Sequence, residues 1–523
     1  MALTSDTATS DTAPASSAAP GGCPFHQVLA ETLGVVDGAP VAPGRRFDVA
    51  LMPLGSAANM GFAADGTPLV DPRIFDSVEF QRNPYPYYRI LRDHYPVFYD
   101  ALHNAYWVTR YSDITACYND DEGFNTIPKG MSNGVLGNTQ LELSGIEHRR
   151  RRNLYGRHLV GQALDRRIPI IEALADEMVE SWFVSPASEV AMDGDTAART
   201  EGPIVVDLSN PAVRSIELGR AFANEFPIRV VCQVLGFPND LQDQFFYWYS
   251  SMMNGLGGSE SAPVGIKARH DLEECVEALV LERRLTPTFL YDAEGQPIGR
   301  DIISELCHAQ VDGDVLSTEE ITSNIALVVG GGGETTRGAI LNIWYLLLQH
   351  REQFERVCTD DSLWDAAFHE TLRHSSPIGG QPRHNSFPWT LHGVEVPAGS
   401  LVQMVDFSAN HDERVFANPE QFNVFRDDLY TGKIIRSGYC ADGKSSHMAF
   451  GVGPHLCPGA WISQQEAVLG SKVLARALVR RGLRVEIDSD RMAKDIDGTS
   501  LAPIGLGAIR SLWLKVSPVS VVA

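Results

Sequence analysis

The residue with the most distinctive chemical setting in this chain is Cys457. It lies in a loop, residues 450–459, whose three glycines and two prolines exclude a regular helix or central strand and predict a rigid turn. Residues 460–478 have the apolar spacing of a helix, so the sulfur should precede a helix N-terminus, where backbone N–H groups favour a thiolate. Such a group is a nucleophile, a metal ligand or simply a buried structural cysteine. His455 cannot easily fold back as a base, which favours a lone metal ligand.

A second chemical feature is a run of four glycines, residues 330–333, inside an apolar helix predicted over 325–340. Each glycine costs roughly 0.8–1 kcal/mol relative to alanine in a helix interior, so the run costs on the order of 3–4 kcal/mol. Helix stability cannot explain such a run, and we predict a locally widened helix that passes close over a flat ligand. Glu334 and Thr335 would present an acid and a hydroxyl at this opening.

A third feature is the basic segment at residues 147–152, which stands out against an acidic background. His148 and Arg152 are four residues apart, so on a helix they share one face and could together bind an anion. Arg149, Arg150 and Arg151 are predicted to form a solvated basic face.

These patterns resemble the cytochrome P-450 family. Its heme-binding signature is Phe-x-x-Gly-x-x-x-Cys-x-Gly, and every fixed position is matched by Phe450, Gly453, Cys457 and Gly459. The stretch 331–335 fits the family's small-Gly-x-Asp/Glu-Thr pattern. The resemblance extends from about residue 83 to the end of the chain, and it implies that Cys457 is the thiolate ligand of the iron of heme b.

The resemblance also implies roles for other residues. The heme propionates would be bound by His148, Arg152, Arg383 and His455. The loop that contacts the cofactor would consist of Phe450, Gly451, Gly453 and Gly459 around Cys457. Glu334 and Thr335 would be the catalytic residues that supply protons. Glu370 and Arg373 would anchor the core together with Arg426.

The order of predicted elements agrees with a mostly helical, α+β cytochrome P-450 fold with small β-sheets around a buried heme. A helix should begin near Asn83, followed by a hairpin of residues 97–99 and 105–109 and a helix over 111–119. Another helix over 227–235 should end at Gly236. An aromatic and methionine cluster at 245–253 is either core or substrate contact.

Length and charge restrict the class of protein. The chain has 523 residues, 44% of them hydrophobic, enough for a large core in one or two domains. It has no run of eighteen apolar residues and no basic-then-apolar leader, so we expect no membrane anchor, no secretory signal and a cytoplasmic location. Eight scattered cysteines argue against a disulfide framework. A net charge of −23 argues against a nucleic-acid partner.

Three segments follow from composition and resemblance. Residues 1–22 should be a disordered tail, residues 23–82 a mostly irregular arm, and residues 83–523 the heme-thiolate monooxygenase domain. Polar residues at about 185–204 look like an insertion. Cys23 is followed by proline, a pair that is either incidental or a regulatory heme ligand.

The function implied by the resemblance is monooxygenation. One atom of dioxygen would enter a mainly apolar organic substrate, by hydroxylation, O-dealkylation or epoxidation, and the other would leave as water. No flavin or ferredoxin motif follows residue 470, so electrons should come from a separate ferredoxin and an NAD(P)H-dependent ferredoxin reductase, with the basic face at 149–151 as a docking patch. The alternatives are a peroxide-driven peroxygenase, against which Glu334 and Thr335 argue, and a non-catalytic heme sensor.

Overall fold

The computed structural model describes residues 65–519 of the chain, with gaps at 78–79, 81–82, 127–133, 138, 184–207, 209–213, 257–259, 293, 312, 430–446, 496–508 and 510. Three sequence-based expectations lie outside the described residues: the tail at 1–22, Cys23 with most of the arm after it, and the insertion at 185–204.

Helices form most of the described structure. In chain order they are α1 (Tyr85–His94), α2 (Tyr111–Asn119), α3 (Gly145–Gly156), α4 (Gln162–Asp165), α5 (Ile168–Ser181), α6 (Phe226–Leu235), α7 (Gln242–Gly255), α8 (Ala262–Leu285), α9 (Ile302–Cys307), α10 (Thr318–Gly332), α11 (Glu334–Gln349), α12 (Arg351–Thr359), α13 (Leu363–His374), α14 (Asp406–Ala409), α15 (Ala460–Arg480) and α16 (Ser489–Asp495). Within the described part of the chain, every helix is either too short or too polar to be a membrane span.

The strands are short. In chain order they are β1 (Val97–Asp100), β2 (Ala105–Val108), β3 (Phe124–Asn125), β4 (Arg214–Glu217), β5 (Phe289–Tyr291), β6 (Pro297–Arg300), β7 (Gln310–Val311), β8 (Asp314–Val315), β9 (Gln381–Asn385), β10 (Trp389–Leu391), β11 (Val394–Val396), β12 (Leu401–Met404), β13 (Leu483–Ile487) and β14 (Trp513–Pro518). The largest sheet has the order β1-β2-β12-β9-β3, and a second has the order β13-β14-β4. Three two-stranded pairs, β5-β6, β7-β8 and β10-β11, complete the described sheets.

The predicted helix, hairpin and helix after residue 83 are confirmed. Strands β1 and β2 pair antiparallel, with Val97 opposite Val108, and Asn104 in their turn has a φ of 48°. The helix predicted over 111–119 is α2. The helix predicted over 227–235 is α6, and Gly236 ends it with a φ of 90°, a left-handed conformation that glycine adopts without strain.

The glycine-rich helix passes through the main hydrophobic core. Its first half, α10, packs against α6 and α8, and its second half, α11, packs against α13 and α15. Because α15 begins directly after the Cys457 loop, this packing connects the cysteine loop to the broken central helix. The five-stranded sheet packs with α1 and α2 around two smaller apolar clusters.

Candidate active site

The Cys457 loop is held by backbone hydrogen bonds. The Cys457 N–H donates to the Phe450 carbonyl at 2.9 Å, and the Leu456 N–H donates to the Gly453 carbonyl at 3.1 Å. Gly451 and Gly453 have φ values of 66° and 73°, which explains why glycine stands at both positions. A Cβ at Gly453 would also lie 2.7 Å from the Tyr118 carbonyl oxygen, so this glycine lets the loop approach α2. The prediction that residues 450–459 contain neither an α-helix nor a strand is confirmed.

Backbone N–H groups at the helix N-terminus favour a Cys457 thiolate, as expected, but burial of the sulfur has a larger effect in the opposite direction. Burial raises the pKa of the Cys457 thiol, although the N–H groups of Gly459 and Ala460 and the charge of Arg152 act in the opposite direction. Desolvation of the anion outweighs these dipoles. The sulfur therefore needs a further positive centre, such as a metal ion, to be held as a thiolate.

Histidines and arginines form one cluster beside this loop. The rings of His148 and His455 stack at 3.9 Å between centroids, with an interplanar angle of 23°. Burial, followed by the charges of His455 and Arg152, lowers the pKa of His148 to about 4. Burial, followed by the charge of Arg383, lowers the pKa of His455. The structure thus brings together the four side chains that the sequence analysis assigned to the propionates.

This cluster is rich in donors that lack an anionic partner. Arg383 is only 6% exposed; one Nη donates to the Pro382 carbonyl at 2.9 Å and the guanidinium lies 5.1 Å from the Tyr118 ring centroid. Among the described residues, neither Arg383 nor the half-buried Arg152 pairs with a carboxylate, and His148 Nδ1 is buried without a hydrogen-bond partner. Buried guanidinium groups require a counter-charge. The carboxylates of a heme fit this donor set.

Two acidic residues at the cluster were missed by the sequence analysis. Asp121 Oδ1 lies 2.8 Å from His455 Nε2, and the other oxygen of Asp121 accepts from the Gly145 N–H at 3.0 Å. Asp406 accepts from the Tyr118 hydroxyl at 3.0 and 3.1 Å. Burial raises the pKa of Asp406 to about 8, opposed by the Tyr118 hydrogen bond and the Arg383 charge. No local sequence pattern signals either contact.

The predicted basic face at residues 149–151 is only partly correct. Arg150 pairs with Asp314 at 2.7 Å and with Glu320 at 2.7 Å, and Arg151 pairs with Glu147 at 3.1 Å. Both arginines are half-buried, and only Arg149 is exposed. Arg150 and Arg151 therefore join α3 to β8 and α10 and do not form the free positive patch that the sequence analysis expected.

The glycine run has several causes. Gly333 separates α10 from α11, and a Cβ there would lie 2.4 Å from the Tyr249 ring and 2.5 Å from the Ile228 side chain. A Cβ at Gly330 would lie 2.6 Å from Leu136, whereas Gly331 has open space around it. The prediction of a helix opening is confirmed, but protein neighbours account for Gly330 and Gly333, and Gly331 alone borders a free volume among the four.

Glu334 and Thr335 stand directly after this break. The Thr335 hydroxyl donates to the Gly331 carbonyl at 2.9 Å, the carbonyl of the glycine that borders the open space. Glu334 pairs with Arg337 at 2.8 Å and is hydrogen-bonded by the Tyr249 hydroxyl from α7. The acid is thus fixed to its own helix and to α7. Tyr249 belongs to the predicted aromatic cluster, whose members Phe245, Trp248 and Met252 are buried in the core.

The predicted anchor of the core is confirmed. Arg373 donates to Glu370 at 2.7 and 2.9 Å, with both side chains fully buried, and Arg426 lies 3.4 Å from Glu370. Arg373 also donates to the carbonyls of Asn410 and Pro419. These bonds fix the segment that leads from α13 towards the cysteine loop.

Comparison with known proteins agrees with this geometry. The model of the cytochrome P-450 family matches residues 265–506. The chain is 26% identical to pulcherriminic acid synthase of Bacillus subtilis over 418 residues, which cover 79% of this chain and 92% of that protein. It is 26% identical to vitamin D(3) 25-hydroxylase of Pseudonocardia autotrophica over 443 residues, 82% of this chain and 95% of that protein.

Solved structures share the fold. The ligand-free structure of cytochrome P-450 TbtJ1 matches with a TM-score of 0.65 and 24% identity, covering 84% of this chain and 98% of that chain. CalO2 matches with a TM-score of 0.65 and 22% identity, covering 85% of this chain and 98% of that chain. The family model, the relatives and the shared fold agree with the cysteine signature. The chain is therefore a member of the cytochrome P-450 family, of the bacterial type, and is a heme b monooxygenase.

Proposed function

We propose that the chain uses dioxygen to hydroxylate, O-dealkylate or epoxidise a mainly apolar small organic substrate. The observation that carries this proposal is the broken central helix: Glu334 and Thr335 follow directly after a break, and Gly331 just before the break borders open space. Two relatives support an apolar substrate by their names, vitamin D(3) 25-hydroxylase and the steroid C26-monooxygenase of Mycobacterium tuberculosis, the latter 28% identical over 292 residues.

In this proposal the cofactor is held by residues already described. Cys457 would be the thiolate ligand of the iron, and the propionates would be bound by His148, Arg152, Arg383 and His455. The loop with Phe450, Gly451, Gly453 and Gly459 would position the sulfur. When bound, the heme supplies the redox chemistry that cleaves dioxygen. The buried donors Arg152 and Arg383 then gain the counter-charges that they lack in the protein alone.

The protein's own contribution to the reaction is proton supply. The Thr335 hydroxyl, held at the Gly331 carbonyl, can pass a proton to an acceptor in the open space. Glu334 is the proposed source behind it, and its bonds to Arg337 and Tyr249 fix the carboxylate at the break. The rest of α10 and α11 is packed into the main apolar core, which fixes the position of the break.

Electrons are proposed to come from an acidic ferredoxin and an NAD(P)H-dependent ferredoxin reductase. Exposed Arg149 remains as one positive contact near the predicted heme edge, whereas Arg150 and Arg151 are already paired. The cytoplasm, which keeps thiols reduced and supplies NAD(P)H, is the proposed compartment, and the six described cysteines are free.

The experiment that tests the function uses the heme-loaded protein with a ferredoxin, its reductase and NAD(P)H. A panel of small aromatics, terpenoids, steroids and fatty acids is screened first for a change in heme spin state. Compounds that shift the spin state should accelerate NAD(P)H consumption and give products heavier by one oxygen atom derived from labelled dioxygen. Products whose added oxygen comes only from hydrogen peroxide would favour a peroxygenase. Changes in heme spin state without any product would favour a sensor.

A further inference from the structure

Asn324 on α10 has a buried side-chain amide without a hydrogen-bond partner in the described part of the structure. The side chain is 1% exposed, and both its Nδ2 and its Oδ1 are buried without a hydrogen-bond partner among the described residues. Its neighbour Thr322 is equally buried but donates to the Thr318 carbonyl at 2.9 Å. A buried amide without a partner destabilises the protein, so its presence requires a reason other than folding.

Asn324 lies on the face of the helix that borders the open space. Residues 324, 327, 328 and 331 follow the spacing of one helical face, and Thr335 continues it after the break. Leu327 and Val328 are partly exposed within a helix segment that is otherwise buried, and Gly331 is exposed with no atom near its open side. Asn324 therefore stands on the same face as the proposed reaction centre, towards the N-terminal end of α10.

The positions of Asn324 and Gly331 on this face give the distance between the amide and the open space. Gly331 is seven residues after Asn324, which at about 1.5 Å per residue corresponds to about 10 Å along the helix axis. An amide offers both a donor and an acceptor and carries no charge. It suits a hydroxyl or a carbonyl and does not neutralise a carboxylate. Glu320, the acid one turn before it on this face, is already paired with Arg150 and Arg151.

We propose that Asn324 binds a neutral oxygen, a hydroxyl or a ketone, at the far end of the substrate, about 10 Å from the carbon that is oxidised near Gly331 and Thr335. This inference rests on the proposed function and narrows its substrate class to apolar molecules with a neutral oxygen at the end remote from the oxidised carbon. The Asn324 amide would reject analogues that lack this oxygen, because the buried amide would then stay unpaired.

The first test is stability. In the substrate-free protein, Asn324→Leu replaces two unpaired polar atoms with methyl groups on the same branched skeleton, so its melting temperature should equal or exceed that of the wild type. The control Thr322→Val changes a buried polar residue on the same helix whose hydroxyl is already bonded. A melting temperature several degrees below wild type for Asn324→Leu alone would show that the amide is structural, and would overturn the inference.

The second test is recognition, measured by spin-state titration of the heme-loaded proteins. The probes are two matched pairs: 5α-androstan-3-one with 5α-androstane, and 1-dodecanol with dodecane. For at least one pair, Asn324→Leu should shift the ratio of the two Kd values towards the hydrocarbon by about fivefold to tenfold, the effect of one neutral hydrogen bond. Thr322→Val should keep the wild-type ratio.

The outcomes separate the two proposals. If the compounds clearly shift the spin state but wild type and Asn324→Leu give the same ratio of Kd values for both pairs, the role of Asn324 is overturned and the proposed function stands. If none of the four compounds shifts the wild-type spin state, the apolar substrate class itself fails, and the inference falls with it.

Discussion

At the scale of single residues, Thr335 and Glu334 are held differently. Among the described residues, the Thr335 hydroxyl bonds to the Gly331 carbonyl alone and can turn towards the open space, whereas Glu334 is fixed by Arg337 and Tyr249. A hydroxyl that can move between two acceptors suits the last step of proton transfer. A fixed carboxylate suits the preceding step, in which protons are provided to that hydroxyl. Replacing Thr335 should therefore reduce product formation without disturbing heme or substrate binding.

We predict that Thr335→Ala separates electron use from product formation. The hydroxyl is not needed for heme or substrate binding, so the substrate-induced spin shift should persist. Because positioned proton transfer typically contributes about 10²–10⁴-fold, product formation should fall by at least about tenfold while NAD(P)H consumption continues and peroxide accumulates. Thr335→Ser, which keeps the hydroxyl, is the matched control. Wild-type coupling of NAD(P)H to product in Thr335→Ala would exclude the relay.

Much of the site could be predicted at this scale, and some of it could not. Cys457, the pair of His148 and Arg152, and the acid with its hydroxyl were predicted from local patterns, whereas Arg383 and His455 were assigned only through the resemblance to the family. The partners that tune them are remote: Asp121 meets His455 across 334 residues, and Tyr249 reaches Glu334 from another helix. Such contacts depend on tertiary packing, which leaves no local signature.

At the scale of elements, the glycine run shows how one motif serves two purposes. Gly330 and Gly333 permit close packing against Leu136, Tyr249 and Ile228, and Gly331 keeps a volume open. The whole run was expected to make room for a ligand. Helix propensity assigns every glycine the same cost, so it cannot distinguish a glycine required by protein neighbours from one that borders open space.

The two roles predict opposite effects of alanine on stability. Gly333→Ala should destabilise the protein by about 1–3 kcal/mol, because its Cβ would overlap the Tyr249 ring and Ile228. Gly331→Ala meets no atom and should be neutral or stabilising by up to about 1 kcal/mol in the absence of ligands, through helix propensity. In the heme-loaded protein the same Gly331 variant should weaken substrate-induced spin shifts. Urea unfolding of the two variants measures the first effect, and equal free energies of unfolding would contradict this division of roles.

The contact between α2 and α14 predicts that the free energy of unfolding depends on pH. The pKa of Asp406 is raised by burial to about 8, so the folded protein binds this proton more tightly than the unfolded chain, where the carboxyl is ordinary. The resulting stability is complete below about pH 4 and is lost as pH rises towards 8, with a slope of at most about 1.4 kcal/mol per pH unit. The groups that face Asp406 are the Tyr118 hydroxyl and the Arg383 guanidinium, and burial holds the pKa of Tyr118 well above this range.

Asp406→Asn tests this pH dependence. The amide cannot ionise, so the free energy of unfolding of wild type minus that of the variant should decrease between pH 5 and pH 8. Urea unfolding at several pH values gives this difference directly. A difference that is constant, or that grows with pH, would show that Asp406 is ionised throughout and that its Tyr118 contact has another role.

At the scale of the whole molecule, the fold class and the order of elements could be predicted, whereas their assembly could not. Periodicity and caps located α2, α6 and the hairpin, because these signals act over a few residues. Strand β12 pairs with both β2 and β9, and the residues that pair between β12 and β2 are about 300 positions apart in the sequence. Arg150 was misassigned for the same reason, since its partners Asp314 and Glu320 lie far away in sequence.

The central claim is that Cys457 is the thiolate ligand of the heme iron. The most direct measurement is the carbon monoxide difference spectrum of the reduced protein, compared among wild type, Cys457→Ala and the matched variant Cys358→Ala, a free cysteine on α12. Wild type and Cys358→Ala should give the thiolate-type spectrum, and Cys457→Ala should not, even where heme content persists through the arginine and histidine cluster. A thiolate-type spectrum in Cys457→Ala would contradict the account, because another sulfur would then hold the iron.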